Sequence, residues 1–274
     1  MAEQPLKDLY RQLSDRLELA LLDYSEDTPR GLTAVMRMAL EGSGLREFAL
    51  LAPASARWCG RSPEEGLPVA VAVRFLTAFL YAHSCLPDVD RWPYGDPLPQ
   101  DVDQASLILS GDAFPPMAVR HLYRTGGRHT VLLIEALVDS MGASGILAGL
   151  SLHLDCRDGG GTELPEGREP GELHGGRLAQ FASKGGAVIA GGNTAEIDDC
   201  ALAGLKIGLG MDVLVGMATD EMLGPERRKE LSLEATNHLD EAETIVGSGE
   251  RSEIFRTLIE GFRRRFPSSP GELF

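Results

Sequence analysis

A chain of 274 residues, 43% hydrophobic and 24% charged, is long enough to bury a sizeable core and ordinary in composition for a globular protein. Its 26 basic and 41 acidic residues leave a net charge of −15, which argues against nucleic acid and anionic membrane surfaces as partners, since both reward Lys and Arg. Cys59, Cys85, Cys156 and Cys200 lie far apart without CxxC spacing, so no zinc motif or disulfide framework is read, and a reducing cytoplasm is the expected location.

Apolar residues at helical spacing dominate the chain. Leu6, Tyr10, Leu13 and Leu17 fall at steps of three and four. A second helix is predicted over 32–40, ending at Glu41-Gly42-Ser43-Gly44 as a C-cap, and a third over 48–59. Pro68 suits the first turn of a helix over 69–83. Pro and Gly then cluster from Leu86 to Pro99, a loop, before a helix over 104–114 that Pro115-Pro116 is expected to stop, with a return to helix at once as the alternative. The stretch 130–154 is apolar, with small residues such as Gly142, Gly145 and Gly149 that let helices approach closely.

Residues 157–171, rich in Gly, Pro and Glu, read as an exposed loop. Helices follow over 172–191, 196–217, 226–246 and 252–266, and residues 267–274 read as a loose tail. The longest apolar stretch, Cys200 to Met217, is interrupted by Lys206 and Asp212 and falls short of the roughly 20 apolar residues of a membrane span. It is read as a buried core helix, and no membrane span is expected. Nothing alternates with period two, no repeat of fixed length appears, and no linker divides the composition. The expectation is one all-α domain over 1–274.

Six short segments stand out for chemistry: Leu40–Phe48 (LEGSGLREF), His83–Asp90 (HSCLPDVD), Leu109–Phe114 (LSGDAF), Gly149–Asp155 (GLSLHLD), Gly175–Leu178 (GGRL) and Asp212–Thr219 (DVLVGMAT). In order and spacing, over about Thr28 to Gly224, they resemble the motifs of the trans-isoprenyl diphosphate synthases, or polyprenyl synthetases. These are all-α enzymes that join an allylic diphosphate to isopentenyl diphosphate. The resemblance implies an isoprenoid-synthase-type helical bundle around a central cavity.

It also implies which residues have changed. Where the family carries GGK-x-x-R-P, Gly42 and Arg46 match and Ser43 replaces the Lys. Where it carries H-D-D-x-x-x-x-D, Ser84 and Cys85 take the two leading acids and Asp90 matches the trailing one. The third segment matches A-G-D-x-L and is read as largely structural. In the fourth, G-Q-x-x-D, Leu150 takes the Gln and His153 the Asp; in the fifth, Arg177 keeps the charge of the family's Lys. In the sixth, Q-x-x-D-D-x-x-D, Val215, Gly216 and Thr219 take the acids and Asp212 the Gln.

Magnesium wants hard oxygen ligands in near-octahedral order, and acids at i and i+4 share a helix face to supply them. Ser is a poor ligand and Cys a soft one. The family's magnesium is therefore expected to lack its ligands, and no cofactor is assigned. Asp88 and Asp90 are weak metal candidates in a loop whose plainer reading is solvation. Arg46 and Arg177 are the candidate diphosphate contacts, with Arg46 also able to pair with Glu47 or Asp88. His153 and Cys85 are the candidates for any remaining catalysis, although a lone His on an apolar helix is more often a satisfied core residue.

The leading expectation is a homologue that has lost magnesium-dependent prenyl transfer. It would act as a partner subunit, in a homodimer or a heterodimer with an active synthase, or as an isoprenoid binder. One alternative is an enzyme with metal-independent isoprenoid chemistry in the same pocket. Another is a divergent prenyltransferase using Asp88, Asp90, Asp220 and Glu221.

Overall fold

The computed structural model describes residues 3–25, 28–86, 89, 102–157, 173, 175–220 and 222–265. Of the described residues 85% are helical, and none is in a strand. Twelve α-helices are described in chain order: α1 (Glu3–Ser25), α2 (Arg30–Gly42), α3 (Arg46–Ala49), α4 (Leu51–Trp58), α5 (Leu67–Ser84), α6 (Gln104–Thr125), α7 (Thr130–Met141), α8 (Ile146–Arg157), α9 (Gly175–Ile189), α10 (Thr194–Thr219), α11 (Pro225–Val246) and α12 (Glu253–Arg265). The predicted loop over 157–171 lies outside the described residues except for Arg157, which ends α8; the predicted tail over 267–274 lies outside them altogether.

Apolar burial holds the bundle together. Helix α5 is apolar on nearly every face, with all but two of its residues buried, and one core cluster runs from Leu9 and Leu13 of α1 through α5, α9 and α10 to Phe262 of α12. A helix hydrophobic all round belongs in such a centre. Neighbours run antiparallel. His83 of α5 meets Gly111 and Asp112 of α6, while Phe75 stacks on Phe114 with ring centroids 5.9 Å apart and meets His121 farther along α6. Likewise Gly175 meets Asp212 at one end of the α9–α10 pair, and Ala179 and Ser183 meet Gly204 farther on.

One boundary differs from the sequence reading. Pro115-Pro116 does not stop a helix, because α6 runs through both to Thr125. Phe114, Met117, Ala118 and Leu122 are buried on either side of the break in hydrogen bonding, and Asp103 caps the start through Ser106 N at 3.0 Å. The stretch 130–154 is two helices, divided by a turn at Gly142–Gly145. There the Gly145 backbone lies too close to the Asp139 and Ser140 carbonyls to accept a side chain.

Among the described residues, three stretches are long and apolar enough to cross a membrane by length and composition: Pro63–Ser84, Thr130–Leu152 and Thr194–Ala218. The last corrects the count made on Cys200 to Met217. Protein packing already covers 89% of the apolar window in the first and 33% in the second.

Candidate functional site

The turn between α2 and α3 carries Ser43 and Arg46. Gly44 (φ 62°) and Leu45 (φ 45°) both take left-handed backbone, which a leucine adopts at a cost of about 1–2 kcal/mol. Arg74 of α5 fastens this turn. Its Nη1 donates to Gly44 O at 2.9 Å and Thr77 Oγ1 at 3.2 Å, and its Nη2 donates to Leu40 O. The Arg74 side chain is only 4% exposed, and burial lowers its pKa to about 10. Ser43, fully buried, donates to Leu40 O at 3.2 Å and reaches Thr77 Oγ1 at 3.4 Å. Arg46 is exposed, and its Nη2 donates to Glu41 O at 2.5 Å; of the partners the sequence offered, Asp88 lies outside the described residues. It lines a cavity of about 600 Å³ between α1, α2 and Arg74.

At the end of α5, Ser84 is 1% exposed and its hydroxyl donates to Leu80 O at 2.6 Å. Cys85 caps the helix, half-buried against the core. His83 bridges two helices: its Nδ1 lies 3.0 Å from Phe79 O and its Nε2 lies 3.3 Å from Asp112 Oδ1. Gly111 makes this possible, because a Cβ there would fall 2.6 Å from His83 Nδ1. The Ser-Gly-Asp remnant read as structural is thus the clasp that holds the Ser84 end of α5 against α6. Asp88 and Asp90 lie outside the described residues.

Arg177 sits in the first turn of α9, with Nη1 donating to Gln180 Oε1 at 2.9 Å; its Nε is buried without a hydrogen-bond partner. Two residues before it, Gly175 N donates to Asp212 Oδ2 at 3.0 Å. Burial raises the Asp212 carboxyl well above the usual carboxylate range, with the Gly175 amide pulling the other way. Farther along α10, Val215 is 4% exposed and Gly216 is at the surface. Arg228 of α11 closes the C-terminus of α10, donating from Nη1 to Met217 O at 2.8 Å and from Nη2 to Asp220 O at 3.3 Å. Asp220 itself accepts from Met222 N at 2.9 Å, and Glu221 lies outside the described residues.

On α8, Leu150 packs partly buried against the core cluster to which Phe79 and Phe181 belong, and Met217 is buried as well. The side chains of His153 and Thr219 lie outside the described residues. The structure therefore joins α9 to α10 through Gly175 and Asp212, and α5 to α6 through His83 and Asp112. Arg46 and Arg177 have separate partners, a carbonyl in one case and Gln180 in the other. Residues 84, 85, 215 and 216 offer a hydroxyl already donated to a carbonyl, a thiol, an isopropyl group and no side chain. That set does not fit magnesium. Arg74 and Arg228 were missed in the sequence; the signal for Arg74 is a single charge within the apolar run of α5.

No family model matches the chain. A farnesyl diphosphate synthase of Geobacillus stearothermophilus is 27% identical over 238 residues, covering 82% of this chain and 80% of that protein. Among solved structures, an FPP/GFPP synthase from Zymomonas mobilis matches with a TM-score of 0.78 at 23% identity, covering 96% of this chain and all of that one. The geranyl diphosphate synthase small subunit from Antirrhinum majus matches with a TM-score of 0.62 at 19% identity, covering 92% of this chain and 98% of that one. The neighbours in sequence and in structure are farnesyl and geranylgeranyl diphosphate synthases, members of the trans-isoprenyl diphosphate synthase family that the six segments resemble.

Proposed function

We propose that this chain is a non-catalytic subunit of the isoprenyl diphosphate synthase family, one that pairs in the cytoplasm with an active synthase. The observation that carries the reading is the side chains at the positions of the family's two magnesium clusters. Ser84, Cys85, Val215 and Gly216 supply no carboxylate, and the one hydroxyl among them is buried and already bonded within α5. Metal assistance to a departing diphosphate is worth several kcal/mol, at least about a thousandfold in rate, and Arg46 and Arg177 cannot replace it from separate positions.

A partner role is supported by two observations. The fold is shared with a solved small subunit of a geranyl diphosphate synthase. Large apolar side chains also stand exposed on neighbouring helices: Leu109 (60%) and Tyr123 (69%) on α6, and Val131 (75%) and Leu132 (51%) on α7. Tyr123 at the end of α6 and Val131 at the start of α7 are close in sequence across the connecting turn, and an apolar patch there would suit a partner.

The test mixes the purified chain with a purified farnesyl diphosphate synthase and measures both mass in solution and magnesium-dependent condensation of isopentenyl diphosphate with an allylic diphosphate. A mixed complex, with no turnover by the chain alone, is the expected result. Condensation by the chain alone would overturn the loss of activity, and the absence of any mixed complex would overturn the partner role.

A second reading, metal-independent chemistry in the same pocket, is favoured by Asp212. A part-buried carboxyl whose pKa burial pushes upward, bonded to the Gly175 amide two residues before Arg177, is a candidate proton donor without a metal. Turnover of an allylic diphosphate in chelator, abolished in Asp212→Asn, would support it; no turnover in chelator would end it.

A further inference from the structure

Helix α1 walls one side of the cavity of about 600 Å³, through Tyr10, Leu13, Leu17 and Leu21. Its N-terminal half is rooted in the core by Leu9 and Leu13, each 3% exposed. Its C-terminal half is tied down mainly by charge. Arg37 of α2 donates to the Glu18 carboxylate at 2.7 Å, and Arg124 of α6 pairs with Asp23. One turn back along α6, the Arg120 guanidinium lies 4.9 Å from the centroid of the Tyr24 ring. These ties stand in solvent, where ion pairs and cation–π contacts hold weakly.

Between Arg120 and Arg124 on α6 comes His121. Its ring meets Phe75 of α5 edge to face, with centroids 6.4 Å apart and planes at 86°. Its Nε2 is buried and has no hydrogen-bond partner. A neutral imidazole tolerates that setting. A protonated one places a charged N–H donor where nothing accepts it, on a helix segment that already carries two guanidiniums. The charged groups acting on the ring are Arg16 and Asp23 of α1 and Arg124 of its own helix, and none comes from α2, α5 or α7 among the described residues. Asp23, the one anion, is already engaged by Arg124. Burial first, then Arg16 and Arg124, hold the imidazole below its ordinary range. The seated state therefore binds fewer protons than an opened one, and it loses ground as pH falls below about 6.5.

We propose that the C-terminal half of α1 is a pH-sensitive flap over the cavity, with His121 as its sensor. While His121 is neutral, residues 18–25 stay seated on α6. Protonation of His121 lifts them about the rooted Leu9 and Leu13 and opens the cavity wall to solvent. No bond is made or broken in the change, and α9 and α10 take no part in it.

Hydrogen exchange of the full chain is followed by mass spectrometry between about pH 7.5 and about pH 5.5, with each rate divided by the intrinsic rate at that pH. Protection of peptides covering residues 18–25 is expected to fall by up to about tenfold, the limit for one proton taken up between pH 6.5 and pH 5.5. Peptides of α9 and α10 keep their protection. In His121→Phe and His121→Leu, two uncharged side chains that fill the site differently, the protection of α1 no longer depends on pH. Protection of α1 that is constant with pH in the unaltered chain, or that falls equally in either variant, would overturn the proposal. An equal fall in α9 and α10 would overturn it too, because it reports opening of the whole bundle.

Discussion

Asp212→Asn tests whether the α9–α10 junction holds a neutral acid. Asn keeps an oxygen to accept from Gly175 N and cannot ionise, so the bond at 3.0 Å survives while the titration disappears. Burial raises the carboxyl pKa in the folded chain well above its unfolded value. Below the unfolded value, both states are protonated and the group contributes nothing to pH dependence. Above it, the unfolded chain releases its proton and the folded chain does not, so the folded state binds more protons and stability falls as pH rises.

The loss runs at about 1.4 kcal/mol for each pH unit until the folded carboxyl itself ionises. From about pH 4 to about pH 7 the ceiling is therefore about 4 kcal/mol. Urea unfolding of both proteins at steps across that range reads the difference directly. Asp212→Asn should gain on the unaltered chain with each step, matching it near pH 4 and exceeding it at neutrality. Parallel stability curves for the two proteins would refute the assignment of a protonated Asp212.

Three further outcomes are expected. Gly111→Ala drives a methyl group into His83 and should destabilise by about 1–3 kcal/mol, read as a lower urea midpoint, with the His83 imidazole resonances displaced in NMR spectra. Arg74→Met leaves the carbonyls of Leu40 and Gly44 without their donor in a buried turn; a loss of about 2–4 kcal/mol by chemical denaturation checks it, and a change under about 0.5 kcal/mol would contradict the fastening role. Asn193→Ala removes the capping box that opens α10, where Asn193 and Glu196 exchange bonds at 3.1 and 2.8 Å, and should cost about 1 kcal/mol in a thermal melt.

Helical spacing made the bundle legible before any coordinates, because apolar side chains three and four positions apart report their own burial. Boundaries were less so where tertiary packing overrode local chemistry, as at Pro115-Pro116, which the buried Phe114 and Leu122 carry inside α6. The altered motif positions were visible as residue types, yet their partners were not. Asp212 finds Gly175 across 37 positions of sequence, and Arg74 finds Leu40 across 34. Neither distance leaves a periodic trace. Arg46 was singled out for its charge, but only the turn geometry directs it to the Glu41 carbonyl.

The contact between α9 and α10 has a mechanical consequence. A Cβ on Gly208 would overlap the Gly175 carbonyl, and a Cβ on Gly204 would lie 2.6 Å from Ser183 Oγ, so main chain rests on main chain over several turns. Helices seated this closely have no side-chain cushion to shear against. The pair should behave as one plank, so that a displacement of the Arg177 end of α9 carries α10 with it.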